Sequence, residues 1–348
     1  MTTHIDVFVG AKHDLVHTSL VLTGFCELAS RNVIGLRYRV PEGDDAWLTG
    51  DPMVVVFDVH GASTTRVAID LRDGEGISQP IIDLVRWYLK RSFHTPERDR
   101  LEPARRQRML PFGLNFPCRS LRSTVRLLAS IGGPIALSGA DGLQRLRSYL
   151  STPTPSAFEQ GPDTPVESLV HFQPRLWASV DAPAGEAEAV NADRVQLVRA
   201  LKREFGRRFI GGLVATAQAR QHYPDDLTPH SSKYVDYLRL KQRCLIGIYT
   251  RGLEHSLAFK LGETFAASQC LVSVPLRYGL PAPLEIGRHY IEFETVDACM
   301  AACHRLLEDP ALARSMRQAN HDYYVREVEA AAHIQRVIER VAAAGATS

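Results

Sequence analysis

Ile246-Gly-Ile-Tyr-Thr-Arg-Gly-Leu-Glu-His-Ser-Leu-Ala-Phe-Lys-Leu-Gly-Glu-Thr-Phe-Ala-Ala267 passes from a short apolar run, through the polar turn Thr250-Arg-Gly252, into a segment with helical spacing. The spacing predicts a strand ending near Tyr249 and a helix opening near His255 or Ser256. A strand that feeds a helix in this way is the repeating unit of a parallel sheet. The free amides and the positive dipole end of such a helix point out of the sheet edge, which suits a diphosphate. Gly252 allows close backbone approach. Lys260 and Glu263 follow one or two turns later, where a carboxylate can accept both hydroxyls of a ribose. On spacing alone the same residues also read as a capped helix with an exposed Lys-Glu face.

The alternation extends in both directions. In the second half, 169–178, 209–213, 244–249, 270–275 and 291–293 read as strands. Segments 191–205, 232–241, 257–267, 296–308 and 310–343 read as helices, the last interrupted. In the first half, strands are expected at 4–9, 32–40, 53–59 and 67–71, with helices at 15–30 and 77–91. Val54-Val-Val-Phe57 is continuously apolar, as in a strand buried on both faces. Residues 151–165 are rich in Pro, Ser, Thr and Gly and lack periodicity, so they read as a linker. The expected fold is α/β. It has two Rossmann-like domains, 1–150 and 167–348, joined by a linker at 151–166 and facing across a cleft, with the final helix crossing back.

Bulk properties agree with a globular chain. Its 348 residues exceed one ordinary core, and a hydrophobic fraction of 45% with 23% charged residues excludes disorder. The net charge of +2 argues against a dedicated nucleic-acid binder. The N-terminal segment reads as a strand rather than a secretory signal, and no apolar run is long enough to span a bilayer. The six cysteines (Cys26, Cys118, Cys244, Cys270, Cys299, Cys303) form no metal-binding set and suit buried thiols in a reducing cytoplasm. A cytoplasmic location is expected, with peripheral membrane contact left open.

Several blocks in the second half, taken in order, resemble one family. They are Lys260-Leu-Gly-Glu263-Thr-Phe-Ala-Ala267, Cys270-Leu-Val-Ser-Val-Pro275, Leu284-Glu-Ile-Gly-Arg-His-Tyr-Ile-Glu-Phe293, Leu306-Leu-Glu-Asp-Pro310 and residues 316–324. Over residues 167–340 this set resembles the group 1-like C-terminal domain of GT-B-fold glycosyltransferases. The first half resembles that superfamily only in its strand-helix pattern. The resemblance implies transfer of a sugar from a nucleotide diphosphosugar to the hydroxyl of a glycan, lipid-linked, protein or small-molecule acceptor, in bacterial glycan or glycoconjugate biosynthesis. No further cofactor is implied. Glu263 matches the carboxylate that holds the donor ribose, and Arg175 the arginine that faces the diphosphate. Many retaining members carry two glutamates separated by seven residues. Here Glu254 and Glu263 are separated by eight, and Glu254 precedes the expected helix. The first glutamate's role is therefore not carried over, and the stereochemistry stays open.

The remaining candidates follow from position. Gly211 and Gly212 end a strand, where either a flat base approaches the backbone or the chain simply turns. His255 and Ser256 flank the proposed phosphate turn. In the first domain, Lys12-His13-Asp14 and Asp70-Leu-Arg-Asp73 lie at expected strand ends. Asp73, His13 and Asp14 are the candidate bases, with solvated loop charges as the bland alternative. The run from Arg86 to Arg108 reads as a solvated basic face or a site for an anionic partner. No Asp-x-Asp motif is present, so protein cations rather than a metal are expected to neutralise the leaving group. A sugar-nucleotide epimerase or a non-catalytic nucleotide-sugar binder fits the same second half. The lack of Gly-x-Gly-x-x-Gly after the first strand argues against an NAD enzyme.

Overall fold

The computed structural model describes residues 3–346, which divide into two compact units. Unit 1 holds the chain up to Pro155, the short stretch Tyr278–Ala282 and the residues from Arg326 onward; unit 2 holds Ser156–Arg277 and Pro283–Val325. The expected α/β class holds in both.

Unit 1 begins with β1 (Thr3–Phe8), α1 (Ser19–Ser30), β2 (Ile34–Arg39), β3 (Val54–His60), β4 (Thr64–Asp70) and α2 (Gln79–Leu84). Then come β5 (Trp87–Lys90), α3 (Thr95–Asp99), α4 (Pro103–Arg106), β6 (Met109–Pro111), α5 (Leu121–Leu137) and α6 (Gly139–Leu150). Its sheet runs β2-β1-β3-β4-β5-β6. All strands point the same way except β3, which is antiparallel to both neighbours. A parallel sheet was expected, and it fails here for a steric reason. Only Gly61-Ala-Ser63 separates β3 from β4, whereas a parallel crossover needs roughly a dozen residues. The helix expected over 77–91 is also corrected. It stops at Leu84, and Trp87–Lys90 enters the sheet between β4 and β6 with all four residues buried. Burial on both faces suits this aromatic and apolar run better than a half-exposed helix.

Unit 2 contains β7 (Glu167–Phe172), α7 (Glu186–Phe205), β8 (Phe209–Gly211), α8 (Ala217–His222), α9 (Tyr234–Arg243), β9 (Cys244–Tyr249) and α10 (Phe259–Ala266). It continues with β10 (Cys270–Ser273), β11 (Ile291–Glu292), α11 (Val296–Glu308) and α12 (Pro310–Tyr323). All five strands are parallel, in the order β11-β10-β9-β7-β8. The chain leaves β7 toward β8 and leaves β9 toward β10, in opposite directions. The topological switch point therefore lies between β7 and β9, and open α/β sheets bind ligands outside such strand ends. Side chains alternate along β7. Val170 and Phe172 enter a core shared with α7 and α11, while the His171 ring lies 5.4 Å from Tyr237 of α9.

The expected linker is not a solvated tether. Phe158 is buried edge-on to Tyr234 at 5.7 Å, and the Thr164 carbonyl accepts from Arg317 at 2.9 Å. The last described element is α13 (Ala330–Ala346), which packs in unit 1 on α1. A Cβ at Gly24 would collide with the Ala330 carbonyl, so this glycine sets the close approach of the two helices. All six cysteines are free and buried. Among the described residues, no helix is long and apolar enough to cross a membrane.

Candidate functional site

The switch point of unit 2 is bordered by Gln173–Arg175 after β7, Thr250–Ser256 after β9, and the first turn of α10. The helix begins at Phe259 rather than near His255 or Ser256, with no side-chain cap on its leading amides. Glu254 and His255 both lie in the left-handed region (φ 53° and 56°), which breaks the chain before the helix. His255 is exposed, whereas Ser256 is buried and its carbonyl accepts from the Tyr249 hydroxyl at 3.0 Å. A Cβ at Gly252 would collide with the Ser256 hydroxyl, so the turn closes on its own residues.

Two cationic side chains converge on this edge, and a third lies behind it. Lys260, at the second position of α10, donates to the Gln173 carbonyl. Burial and the charge of Arg194 bring its ammonium down to about 7, against the pull of Glu263. Arg194, 6% exposed on α7, donates to the Arg175 carbonyl at 2.6 Å and the Arg251 carbonyl at 3.0 Å. It thereby ties together the loops on either side of the switch point. Burial lowers it to about 10, and it, rather than Arg175, lies over the Trp177 ring. Arg175 itself is exposed. Lys241 on α9 is buried and held at about 8 by burial, opposed by Glu263. His171 is driven well below its ordinary value by burial and by the charges of the two lysines. The Gln173 side-chain amide is buried with neither its nitrogen nor its oxygen partnered among the described residues. The sequence reading missed Arg194. Its signal was a charge on the buried stripe Val190, Asn191, Arg194, Val195, Val198, Leu201.

Glu263 occupies a different setting from the ribose contact that the resemblance implies. It is 3% exposed, and its oxygens accept from the Tyr234 hydroxyl at 2.6 Å and the Tyr237 hydroxyl at 3.1 Å. Lys241 stands 3.6 Å away. In this conformation the carboxylate clamps α9 to α10, and a ribose would have to displace a tyrosine hydroxyl. Glu263→Gln is therefore expected to lower the stability of the ligand-free protein by about 1.5–3 kcal/mol, the usual worth of hydrogen bonds to a charged group. Urea unfolding checks this, and an unchanged midpoint would release Glu263 from the structural role.

Gly211 and Gly212 have φ of 144° and 117°. A Cβ on Gly211 would strike the Phe172 carbonyl, and one on Gly212 would sit 2.8 Å from the Thr228 nitrogen. Of the two readings left open, the tight turn accounts for both glycines.

In unit 1 the three candidate bases sit at the strand ends but differ in access. His13 is fully buried, its Nδ1 accepting from the Gly10 amide at 3.4 Å, and burial lowers it to about 4. It presents no atom to a ligand in this conformation. Asp14 accepts from the Val16 and His17 amides, both at 3.0 Å, and its second oxygen lies 2.9 Å from His17 Nδ1. Burial pushes its carboxyl up, but the His17 contacts outweigh this and hold it below the usual range. Asp14 thus orients a half-buried imidazole that the sequence reading passed over, although Asp-x-x-His is the spacing of one helical turn. Asp73 pairs with the buried Arg91. Behind it, Asp70 is fully buried and accepts from Arg72, Tyr88 and Lys90, the last at 3.1 Å.

Glu75, His94 and Glu97 place ligand atoms within 4.8 Å of one another, the metal-capable group found among the described residues. Glu75 already pairs with His94 at 2.7 Å, and Glu97 pairs with Arg100. The basic run from Arg86 to Arg108 is likewise partly neutralised, by Arg98–Asp99 and Arg105–Asp83 pairs. A separate groove of about 970 Å³ runs between α7 and the start of α11. It shares only Thr250 and Arg251 with the switch-point edge, and its arginines (Arg199, Arg203, Arg251) are matched by Asp193, Glu294 and Asp297.

No family model and no curated protein matches the chain. Solved structures similar to it include a glycosyltransferase from Rickettsia africae (TM-score 0.44, 10% identity, 94% of this chain and 82% of that one). A second is an α1,3-fucosyltransferase (TM-score 0.39, 8% identity, 92% and 82%). A third is the C-terminal domain of a group 1 glycosyltransferase, LpcC, from Francisella tularensis (TM-score 0.32, 10% identity, 45% and 83%). Overlap at this level leaves the assignment to the residues themselves.

Proposed function

We propose that the chain binds a nucleotide diphosphosugar at the β7–β9 switch point and transfers its sugar to an acceptor hydroxyl. The observation that carries this reading is the convergence of Lys260, the Arg194-stapled loops and the uncapped start of α10 on one strand-end edge. Lys260 and the leading amides of α10 would meet the diphosphate, and the exposed Arg175 would close on it with its planar fork. These groups stabilise the charge that grows on the departing nucleoside diphosphate, so no divalent metal and no further cofactor is required. Within unit 1, the His17 imidazole oriented by Asp14 is the candidate base of this reading. Asp73, committed to Arg91, ranks behind it.

The test is calorimetric titration with UDP, GDP, dTDP and CMP and their sugars, for the parental protein and Lys260→Met. One of the series should bind the parent, and the variant should lose most of that affinity. Failure of every nucleotide to bind would remove the reading.

A pH dependence follows. Burial brings the Lys260 ammonium down to about 7, and a bound diphosphate favours its charged form. Binding above that value must take up a proton. Affinity should therefore fall as pH rises, by up to roughly tenfold per pH unit, until the value in the complex is reached. Titrations in buffers of different ionisation enthalpy measure the proton directly. Zero uptake above neutrality would separate Lys260 from the phosphate.

A further inference from the structure

α5 and α6 form a helical hairpin in unit 1, turning at Ser138 and Gly139. The inward face of α5 is ordinary, with Leu127, Ile131 and Ile135 in the unit-1 core. The exposed residues of the hairpin are not. Leu121 is 74% exposed, Val125 59% and Leu137, beside the turn, 90%; Leu143 and Leu150 of α6 are also exposed. Single exposed leucines need no explanation, but five large apolar side chains on one hairpin do.

The charge of the same segment is the second observation. Residues 119–150 carry Arg119, Arg122, Arg126, Arg145 and Arg147 against Asp141 alone, an excess of four positive charges in a chain whose total is +2. Arg122 and Arg126 line a groove of about 600 Å³ together with Leu121, Val125, Ala129 and Cys26. Arg122 reaches Glu27 at 3.4 Å, yet its side chain remains 69% exposed. On α6, Arg147 is four residues after Leu143 and three before Leu150, on the same exposed stripe.

We propose that this hairpin docks the protein on an anionic lipid surface, lying in the interface rather than crossing it. Leucines interleaved with arginines at helical spacing are what such a surface selects. The apolar side chains reach the acyl boundary while guanidinium groups meet lipid phosphates at its rim. The other strongly basic run, Arg86 to Arg108, lacks this pairing of features, since several of its arginines hold acidic neighbours. The inference does not depend on the glycosyl-transfer reading.

The test is co-sedimentation of the full chain with vesicles of phosphatidylcholine alone and of phosphatidylcholine mixed with phosphatidylglycerol. Binding is expected to the mixed vesicles, weakened by salt. Leu137→Asp, at a site too exposed to disturb the core, should abolish most of it. Arg122→Gln and Arg147→Gln should each weaken it about fivefold, the worth of one basic residue near an anionic surface. Leu121→Asp/Val125→Asp should behave like Leu137→Asp, with unfolding curves confirming an intact fold. The proposal is overturned if the parental protein ignores both vesicles, or if Leu137→Asp and the arginine variants bind as the parent does. Self-association in solution that Leu121→Asp/Val125→Asp removes, without vesicle binding, would assign the face to a second copy instead.

Discussion

Asp70→Ala is expected to destabilise unit 1 by about 3–5 kcal/mol, the usual consequence of removing one partner from a buried ion pair. Asp70 and Lys90 both have fully buried side chains, on adjacent parallel strands with their Cα atoms in register. Arg72 adds hydrogen bonds at 3.0 and 2.6 Å, and the Tyr88 hydroxyl donates to the same carboxylate. Burial alone would push the Asp70 carboxyl up, but Arg72 and the charge of Lys90 outweigh it, so it is ionised in the fold. Deleting the carboxylate leaves the buried ammonium without the opposite charge that Asp70 supplies. The same geometry makes a second expectation sharper. Asp70→Ala combined with Lys90→Met removes both charges and should recover a large part of the loss, because the penalty belongs to the orphaned charge rather than to lost attraction. Urea unfolding followed by tryptophan fluorescence measures both variants, since Trp87 lies next to Tyr88 in β5. A single variant as stable as the parent would show that water reaches Lys90. A double variant as damaged as the single would mean that packing, not charge, is the main loss.

Acidification should destabilise the protein well before its carboxylates titrate. Burial lowers His13 to about 4 and His333 to about 3, and it drives His171 lower still than its ordinary range. His333 is enclosed in unit 1 beneath Gly113, its ring 4.4 Å from Phe112, and the charge of Arg340 adds to the burial. The unfolded chain protonates these rings near the ordinary histidine value of about 6.5, and the folded chain does not. Between the two values the unfolded state binds more protons, so stability is full above about pH 6.5 and falls as pH drops. Each histidine contributes a slope of about 1.4 kcal/mol per pH unit, so His13 and His333 together give roughly 3 kcal/mol per unit in unit 1. Urea midpoints between neutrality and the carboxylate range would record it. His333→Leu should flatten the slope by about one proton's worth whatever it does to absolute stability. A pH-independent midpoint across that interval would mean that these rings gain protons in the fold.

Arg194 and His17 show how a candidate residue can be present in a sequence and still be overlooked. Arg194 carries a charge on the buried stripe of a helix, and His17 sits one turn after an aspartate near the end of β1. Both patterns are local and could have been read. What Arg194 touches is not local. Arg194 reaches carbonyls at positions 175 and 251, which the chain brings together only through the order β9-β7 in the sheet.

Local pattern was enough for the α/β class, for the strand-turn-helix around Thr250-Arg-Gly252, and for the run of parallel strands in the second half, because hydrophobic period and glycine turns are properties of neighbouring residues. Pairing direction, burial and partners were settled elsewhere. β3 turned back because a three-residue connection cannot cross over, and Trp87–Lys90 became a strand because β4 and β6 offered it two covered faces. His13 was closed off while Asp14 was left to orient His17. Glu263, expected at an open ribose site, was drawn between Tyr234, Tyr237 and Lys241. In each case the deciding quantity is a contact between residues distant in sequence or the exclusion of water from a charge. Both depend on where the folded chain places its neighbours, which residue type and spacing do not encode.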